Sequence, residues 1–259
     1  MELTFYKYQG TGNDFVMIDN RNEIFPKQST EQIAQLCHRK FGIGADGLIL
    51  LENEKGVDFK MVYYNADGKE STMCGNGGRC LVAFAKELGI IENKAQFMAV
   101  DGLHHATLTK DQICLQMQDV ATIHEKPNAL FLSTGSPHHV QCVAHLNRFN
   151  VVKEGAKLRY GIYGATGSNI NFVQQISNSH FEARTYERGV EDETLSCGTG
   201  VTAVAIAMHY WGKTEAQNVL ISTPGGDLEV SFTSENKKYK HIVLKGPAKL
   251  VFKGQLRCS

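Results

Sequence analysis

The chain has 259 residues, of which 42% are apolar and 21% charged, and its 27 basic side chains balance its 27 acidic ones. This composition is typical of a globular protein, and balanced charge without runs of one sign does not suggest nucleic acid or an anionic membrane as a partner. We therefore expect a small-molecule partner. No stretch approaches the roughly eighteen apolar residues of a membrane span, and the start, MELTFYKYQG, lacks a signal peptide's apolar segment; we expect a cytoplasmic protein.

Taken in chain order, the first third is rich in predicted strands. LTFYKY and FVMID flank a turn at residues 10–14, and GLILLEN and DFKMVYYN follow. Ser29 is predicted to cap a helix over TEQIAQLCHRK, with Ile33, Leu36, Cys37 and Lys40 on one face, so Cys37 is expected in the core. Residues 42–47 are glycine-rich but lack the Lys-Ser/Thr of a phosphate loop, which favours a tight turn.

One sequence motif occurs twice. CGNGGRCLVAFAKELG begins at Cys74 and CGTGVTAVAIAMHYWG at Cys197, and Ser71 and Thr194, each three residues earlier, are of the type that caps a helix. We predict that a helix begins at each cysteine. Because residues 80–85 and 203–208 are continuously apolar, each helix should be buried on every side, which requires a sheet curled around it.

Two landmarks indicate that the whole chain is duplicated. Thr134 in TGSPHHVQCV follows Thr11 in TGNDFVMID by 123 residues, the same interval that separates Cys197 from Cys74. We predict an α+β fold of two pseudo-symmetric halves, each a mostly antiparallel β-barrel around a central buried helix. The first half covers residues 1–120, with 250–259 as a possible addition, and the second covers 121–249. Without a low-complexity linker, the halves are expected to pack directly with both cysteines facing one crevice.

Short strands are predicted after residue 89, and the order of predicted strands and helices then repeats in the second half. The second half has predicted strands at FLSTG, HHVQCVAHL, NINFVQQI and HFEARTYER, and a helical or irregular piece around residues 147–155. After the second cysteine helix come NVLISTP, DLEVSFT, HIVLKGP and AKLVFKG, which are predicted to form antiparallel strands.

The seven cysteines are an odd number and form no C-x-x-C pair, so neither a disulfide framework nor a zinc site is expected. His138 and His139 are neighbours on a predicted strand and would point in opposite directions, so they do not indicate a metal site.

Two thiols at equivalent helix starts suit an inversion at carbon. One cysteine as thiolate would remove a proton, and the other as thiol would deliver one to the opposite face. A helix N-terminus lowers a thiol pKa from its usual value of about 8.5. The backbone N–H groups of Gly75, Asn76, Gly198 and Thr199 could hold the substrate's carboxylate and stabilise the charge that develops on it, in place of a cofactor.

KYQGTGNDF, NADGKESTMCGNGGRC, NINFV and YERGVEDETLSCGTG resemble the diaminopimelate epimerase family along the whole chain. The resemblance implies a cofactor-independent isomerase that interconverts LL- and meso-diaminopimelate in lysine and peptidoglycan-precursor synthesis, and a homodimer. It implies that Cys74 and Cys197 are the acid/base pair, that Gly75, Asn76, Gly198 and Thr199 hold the reacting carboxylate, and that His138 and Glu187 tune the thiols. The residues implied to contact the amino and distal groups are Asn13, Asn65, Asn169, Glu187 and Arg188.

The chain departs from the family pattern at two positions. Ser136 stands where asparagine is common, and Gly47 stands where glutamine is common. We expect water or neighbouring groups to fill both gaps.

Other interpretations remain open. The two cysteines could be inert core thiols, Glu187 and Arg188 a surface ion pair, and Asn13 and Asn65 turn residues. Proline racemases and hydroxyproline epimerases share the expected architecture, but their substrate would leave Arg188 without a second anion. A thiol redox protein and a non-catalytic binding module are further alternatives.

Overall fold

A computed structural model describes residues 2–27, 29–71, 73–110 and 112–257. The chain divides into two compact units, Met1–Leu115 with Pro247–Ser259, and Gln116–Gly246. No helix in the described ranges is long and apolar enough to cross a membrane.

The first unit is a sheet packed around one helix. The strands are β1 (Glu2–Gly10), β2 (Asn13–Asp19), β3 (Gly47–Glu52), β4 (Phe59–Asn65), β5 (Lys94–Ala99), β6 (Gly102–Thr109), β7 (Gln112–Gln116) and β17 (Lys249–Arg257). They pair in the order β17-β1-β2-β3-β4-β5-β6-β7, and only the β2–β3 and β4–β5 pairs are parallel. Two helices pack on the sheet, α1 (Thr30–Cys37) and α2 (Gly75–Glu87).

Both faces of this sheet are covered near its centre. Strand β3, GLILLE, is buried at every position, as expected of a strand with helices on both sides. Leu48 and Leu50 belong to the core cluster that includes Ile33 and Leu36 of α1. Ile49, on the opposite face, approaches α2 at Gly77. Because side chains alternate along β3, one face of the strand packs against α1 and the other against α2.

The second unit repeats this order of parallel and antiparallel pairs. Its elements are β8 (Ile123–Lys126), β9 (Ala129–Ser133), β10 (Pro137–Cys142), α3 (Val151–Tyr163), β11 (Asn169–Ser177), β12 (His180–Glu187), β13 (Asp192–Thr194), α4 (Gly198–Tyr210), β14 (Asn218–Thr223), β15 (Gly226–Glu235) and β16 (Lys238–Pro247). Strands β8 to β10 are antiparallel, β10–β11 is parallel, β11–β12 is antiparallel, β12–β14 is parallel, and β14 to β16 are antiparallel. This shared topology confirms the predicted duplication.

The helices α2 and α4 confirm the prediction that a buried helix begins at each of the two cysteines. Each has 13 residues, and each begins directly after its cysteine, which is the N-cap residue. Every residue from Gly198 to Met208 is buried, as is every residue from Gly75 to Val82. Strands β1, β2, β3 and β17 contact α2, and strands β9 to β12, β14 and β15 contact α4, so each helix is enclosed by the sheet of its own unit.

The predicted caps are wrong. The cysteines themselves occupy the cap positions, so Ser71 and Thr194 lie too far upstream to reach the first turn. The backbone N–H of Ser71 instead donates to Tyr63 at 2.9 Å, and the Thr194 hydroxyl donates to Glu187 at 2.9 Å.

Helix bounds also differ from the prediction. Ser29 caps α1 and Cys37 lies in the core, as expected, but α1 ends at Cys37 and Lys40 is exposed. Helix α3 continues to Tyr163, well beyond the short piece predicted around residues 147–155. Strands β8 and β13, of four and three residues, were not predicted.

Candidate active site

The thiol of Cys74 lies at the N-terminus of α2. Cys74 has an extended backbone (φ −109°, ψ 123°), and its Sγ accepts a hydrogen bond from the Gly77 N–H at 3.5 Å. The same sulfur lies 3.6 Å from Oδ1 of Asn13, the first residue of β2. The sulfur is therefore held between the positive end of a helix and an amide oxygen.

Asn76 and Arg79 extend this cluster into the core. The Asn76 amide donates from Nδ2 to Asn13 Oδ1 at 3.4 Å, and Arg79 Nη2 donates to Asn76 Oδ1 at 3.0 Å and to Thr11 Oγ1 at 3.3 Å. The Arg79 side chain is completely buried, and burial lowers its pKa to about 10, so the guanidinium is charged at neutral pH. Sequence reasoning missed Arg79, although it is the only charged residue before the last turn of α2.

Asn13 is anchored on its other side by a charged cluster. Its Nδ2 donates to Asp46 Oδ2 at 2.6 Å, and Arg39 pairs with Asp46 at 2.6 Å and with Asp14 at 2.8 Å. Burial raises the pKa of Asp14, but hydrogen bonds from Arg39 and Lys7 outweigh it and hold this pKa at about 2. The amide of Asn13 thus has one fixed orientation.

Asn65 and Gly47 lie opposite each other at one end of the β3–β4 pair. Asn65 ends β4 with an exposed side chain and pairs in register with Gly47 of β3. A Cβ atom added at Gly47 would lie 2.5 Å from the Tyr63 ring. Tyr63 therefore fills the space that a larger side chain would need, as expected for a neighbour compensating this departure.

Cys197 occupies the same position at the start of α4, with different partners. Its side chain makes no cap hydrogen bond to the helix, and its Sγ lies 3.4 Å from Oγ1 of Thr199. The Cys197 residue is 8% exposed.

His138 reaches the sulfur of Cys197 through Thr199. Its Nε2 lies 2.9 Å from Thr199 Oγ1, and its Nδ1 lies 3.2 Å from Nδ2 of Asn171. Burial, with a smaller effect from the Arg188 charge, lowers the pKa of His138 to about 3, so the imidazole is neutral near pH 7. Asn171 was missed by sequence reasoning; the signal is a polar residue at a buried position of a strand.

Asn169 and Arg188 meet at the end of the β11–β12 pair. The Asn169 amide donates to Ser136 Oγ at 2.9 Å and to the Pro137 carbonyl at 3.2 Å, and it accepts from the Arg188 N–H at 2.9 Å. Ser136 thus has a neighbour as its partner, and Asn169 positions the backbone of Arg188. The Arg188 guanidinium donates to the Thr166 carbonyl at 3.1 Å.

Gly75, Asn76, Gly198 and Thr199 are the first two residues of the two helices. The first intrahelical bonds run from Gly78 N–H to the Cys74 carbonyl at 2.7 Å and from Val201 N–H to the Cys197 carbonyl at 2.8 Å. The earlier N–H groups therefore precede the helical ladder and point along the helix axis, which is the geometry of an anion site. Within the ranges that the structure describes, no group of three or more His, Cys, Asp or Glu side chains could hold a metal ion.

Solved structures with the same fold are distant in sequence. A Bacillus anthracis phenazine biosynthesis protein of the PhzF family superposes with a TM-score of 0.79 at 12% identity and covers 100% of both chains. A hydroxyproline epimerase from Agrobacterium vitis superposes with a TM-score of 0.72 at 14% identity, covering 98% of this chain and 92% of its own. They confirm the sheet-dominated α+β fold.

Closer relatives are found by sequence. The family model described as diaminopimelate epimerase matches residues 5–123 and 130–251. The diaminopimelate epimerase of Flavobacterium psychrophilum is 64% identical over 252 residues, covering 96% of this chain and 98% of its own. That of Chlorobaculum tepidum is 40% identical over 257 residues, covering 95% and 98%. With matches of this extent on both halves, the chain belongs to the diaminopimelate epimerase family.

Proposed function

We propose that this protein inverts one α-carbon of LL-diaminopimelate to give meso-diaminopimelate, with Cys74 and Cys197 as the acid/base pair. The observation that carries the proposal is the duplicated helix whose N-cap is a cysteine in both units, in a chain whose relatives carry the name diaminopimelate epimerase. The product is a precursor for lysine and peptidoglycan synthesis.

The proposed mechanism uses two bases and no cofactor. One thiolate takes the α-proton, and the thiol of the other cysteine gives a proton to the opposite face of the same carbon. Negative charge develops on the substrate carboxylate as the proton leaves, so N–H donors from Gly75, Asn76, Gly198 and Thr199 would stabilise the transition state. Loss of one such donor typically raises a barrier by about 3 kcal/mol.

The remaining site residues are proposed to select the substrate. Asn13 and Asn65 in the first unit, and Asn169, Glu187 and Arg188 in the second, would contact the amino and distal groups. Arg188 supports a substrate with a second carboxylate. An amino acid with a single carboxylate, such as proline, would leave this cation without an anion. His138 and Glu187 would tune the thiols.

Two further properties belong to the same proposal. We propose a homodimer, which is supported by exposed apolar side chains on β17: Leu250 is 43% exposed, Val251 56% and Phe252 46%. Light scattering at several protein concentrations tests this. We also propose a cytoplasmic location, which agrees with the free thiols of Cys37, Cys80, Cys114 and Cys142.

Solvent hydrogen exchange tests the substrate assignment. The protein is incubated under reducing conditions in deuterated water with LL-diaminopimelate or with L-proline, and deuterium at the α-carbon is measured by mass spectrometry. We expect deuterium in diaminopimelate and none in proline. Exchange into proline alone would support the proline racemase alternative, and exchange into neither would support a redox or binding protein.

A further inference from the structure

One buried cation joins the two turns between which the Arg188 side chain is held. Resting on the proposed function, in which Arg188 contacts the distal group of the substrate, we propose that Arg159 and Glu191 are positioning residues for Arg188. They fix the direction of its guanidinium and thereby the preference for a ligand with a second carboxylate. All three residues belong to the second unit.

Arg188 is fastened both at its backbone and at its guanidinium. Its backbone lies in the turn between β12 and β13, residues 188–191, and its N–H donates to Asn169 Oδ1 at 2.9 Å. Its Nη1 donates to the Thr166 carbonyl at 3.1 Å, in the turn between α3 and β11, residues 164–168. The direction of the guanidinium therefore depends on the β12–β13 turn and on the α3–β11 turn together.

Arg159 of α3 binds both of these turns. The Nε and Nη2 atoms on one edge of its guanidinium lie 3.3 Å and 3.2 Å from Oε1 of Glu191 in the β12–β13 turn. Its Nη1 donates to the Gly164 carbonyl at 2.6 Å in the α3–β11 turn. Because a guanidinium is a rigid planar fork, this one side chain, which is only 9% exposed, sets the separation of the two turns.

The α3–β11 turn is shaped to receive the Arg159 guanidinium. Gly167 has a left-handed backbone with φ +66°, and a Cβ atom at this position would overlap the guanidinium carbon of Arg159. Glycine permits both the backbone conformation and the close approach. The turn that carries Thr166 is therefore packed directly against the buried cation as well as hydrogen-bonded to it.

Glu191 holds the β12–β13 turn closed. Its N–H donates to the Glu187 carbonyl at 2.8 Å, and its Oε1 accepts from the Gly189 N–H at 3.1 Å. Its own φ is 59°, which residues with a Cβ atom rarely adopt. Burial raises the pKa of Glu191, but the Gly189 N–H and the Arg159 charge outweigh it and hold this pKa below its ordinary value. The charged carboxylate thus ties the closed turn to α3.

A guanidinium fixed in this way suits the recognition of a carboxylate. Arginine has five N–H donors in a fixed geometry, and the bond to Thr166 uses one of them. A carboxylate is bound best by two parallel N–H groups of one fork, and a fork that is already oriented avoids the cost of ordering a long side chain on binding. Arg159 and Glu191 should therefore act through Arg188 on ligand affinity.

Binding of diaminopimelate and of L-lysine tests this inference, because L-lysine is diaminopimelate without the distal carboxylate. Calorimetry on the full chain measures both dissociation constants, with diaminopimelate supplied as the equilibrium mixture of its LL and meso forms so that turnover releases no heat. We expect the wild type to bind diaminopimelate about 10- to 100-fold more tightly than lysine, as for a charge-assisted pair. Arg159→Gln should reduce this ratio at least about fivefold and leave the affinity for lysine unchanged.

Two further variants support the comparison. Lys157→Gln removes a cation from the same helix, where the side chain is 77% exposed and its Nζ lies 3.9 Å from Glu154. It should keep the wild-type ratio, which separates a local effect from a loss of net charge. Glu191→Gln removes the charge but keeps an oxygen for the Gly189 N–H, and it should lower the ratio. This variant decides the question if circular dichroism shows that Arg159→Gln does not fold.

A double substitution tests whether Arg159 acts through Arg188. Arg188→Ala should remove the preference for diaminopimelate, and Arg159→Gln should have no further effect in that background, because the two residues serve one interaction. The proposal would be overturned by an unchanged ratio in either folded variant, by an equal loss of affinity for both ligands, or by a further loss in the Arg188→Ala background. Equal binding of both ligands by the wild type would also overturn it.

These outcomes are separable from the proposed function. If the wild type epimerises diaminopimelate and Arg159→Gln keeps the wild-type ratio, the proposed function stands and the positioning role is disproved. If the wild type does not epimerise diaminopimelate but prefers it to lysine in a way that depends on Arg159, the proposed function is disproved and the positioning role stands.

Discussion

Three buried polar side chains, His138, Arg79 and Asn171, set the environment of the two thiols. His138 and Arg79 are completely buried, and every polar atom that they place in the core has a hydrogen-bond partner in the described ranges. Such groups are costly to bury unless they are satisfied, and these hydrogen bonds satisfy them.

His138 should make stability depend on pH. Its pKa is about 3 in the folded chain and about 6.5 in water. Below pH 6.5 the unfolded chain takes up a proton that the folded chain does not. The free energy of unfolding should then fall by up to ~1.4 kcal/mol per pH unit between about pH 6.5 and pH 3, with no contribution above pH 6.5. Denaturation of wild type and His138→Gln across this range measures it, and equal slopes would contradict the burial of a neutral imidazole.

Gly200 on α4 lies next to the side chains of Asn171 and Cys197. A Cβ atom at this position would lie 2.5 Å from Oδ1 of Asn171 and 3.3 Å from Cβ of Cys197. Gly200→Ala should displace both and lower kcat by about 100-fold, the usual effect of a misplacement near 1 Å. The control is Gly161→Ala on α3, which meets nothing within 4 Å and should keep full activity. Full activity of Gly200→Ala would show that the Asn171 contact is dispensable.

At the scale of elements, predictability follows from the pattern of buried residues. Helices α2 and α4 could be predicted because a fully enclosed helix is apolar on all sides. Helix α3 could not be predicted in full, because the residues that it buries are Val151, Gly155 and Arg159. They have the correct spacing of four, but a glycine and an arginine do not read as a hydrophobic stripe. The Arg159 side chain is buried through its bonds to the Gly164 carbonyl at 2.6 Å and to Glu191 at 3.2 Å.

The candidate site also contains residues that could be predicted from the sequence and residues that could not. The cysteines and helix starts could be predicted because their signals are local in sequence. The contacts of His138 could not be predicted, because His138 lies 61 residues from Thr199 and 33 from Asn171. Only the pairing of β10 with β11 brings His138 and Asn171 together.

The packing of α3 gives an element-scale prediction. A Cβ atom at Gly155 would lie 2.4 Å from Cβ of Tyr186 on β12, so Gly155→Ala should separate the helix from the strand and reduce the free energy of unfolding by about 1–3 kcal/mol. Gly161→Ala on the exposed side of the same helix should instead increase it by about 0.5–1 kcal/mol. Urea denaturation measures both. Equal effects of the two variants would contradict the close contact at Gly155.

At the scale of the whole molecule, the two duplicated units differ in the origin of the first strand of their sheets. Strand β8 pairs with β9 within the second unit, whereas the first unit takes the last strand of the chain, β17, which pairs with β1 from Glu2 opposite Arg257 to Gln9 opposite Lys249. The repeat interval alone could not place this strand, because it has no counterpart at the same offset in the sequence.

Removal of the chain from Lys249 onward should therefore damage the first unit. Strand β1 would keep β2 as its only neighbour in the described sheet and would expose an unpaired edge, which is a template for aggregation. We expect a lower Tm and an increase in light scattering on heating compared with the full chain. An unchanged Tm would mean that β17 contributes little to the unit.

The most direct test of the central claim is the activity of the two single-cysteine variants with both diastereomers. Cys74→Ala and Cys197→Ala are each assayed for conversion of LL- to meso-diaminopimelate and of meso- to LL-diaminopimelate, with circular dichroism to confirm folding. If both sulfurs serve one inversion, each substitution should lower kcat in both directions by at least about 100-fold, the contribution of a positioned acid or base. Near-wild-type epimerisation by either folded variant would contradict a mechanism that needs two thiols.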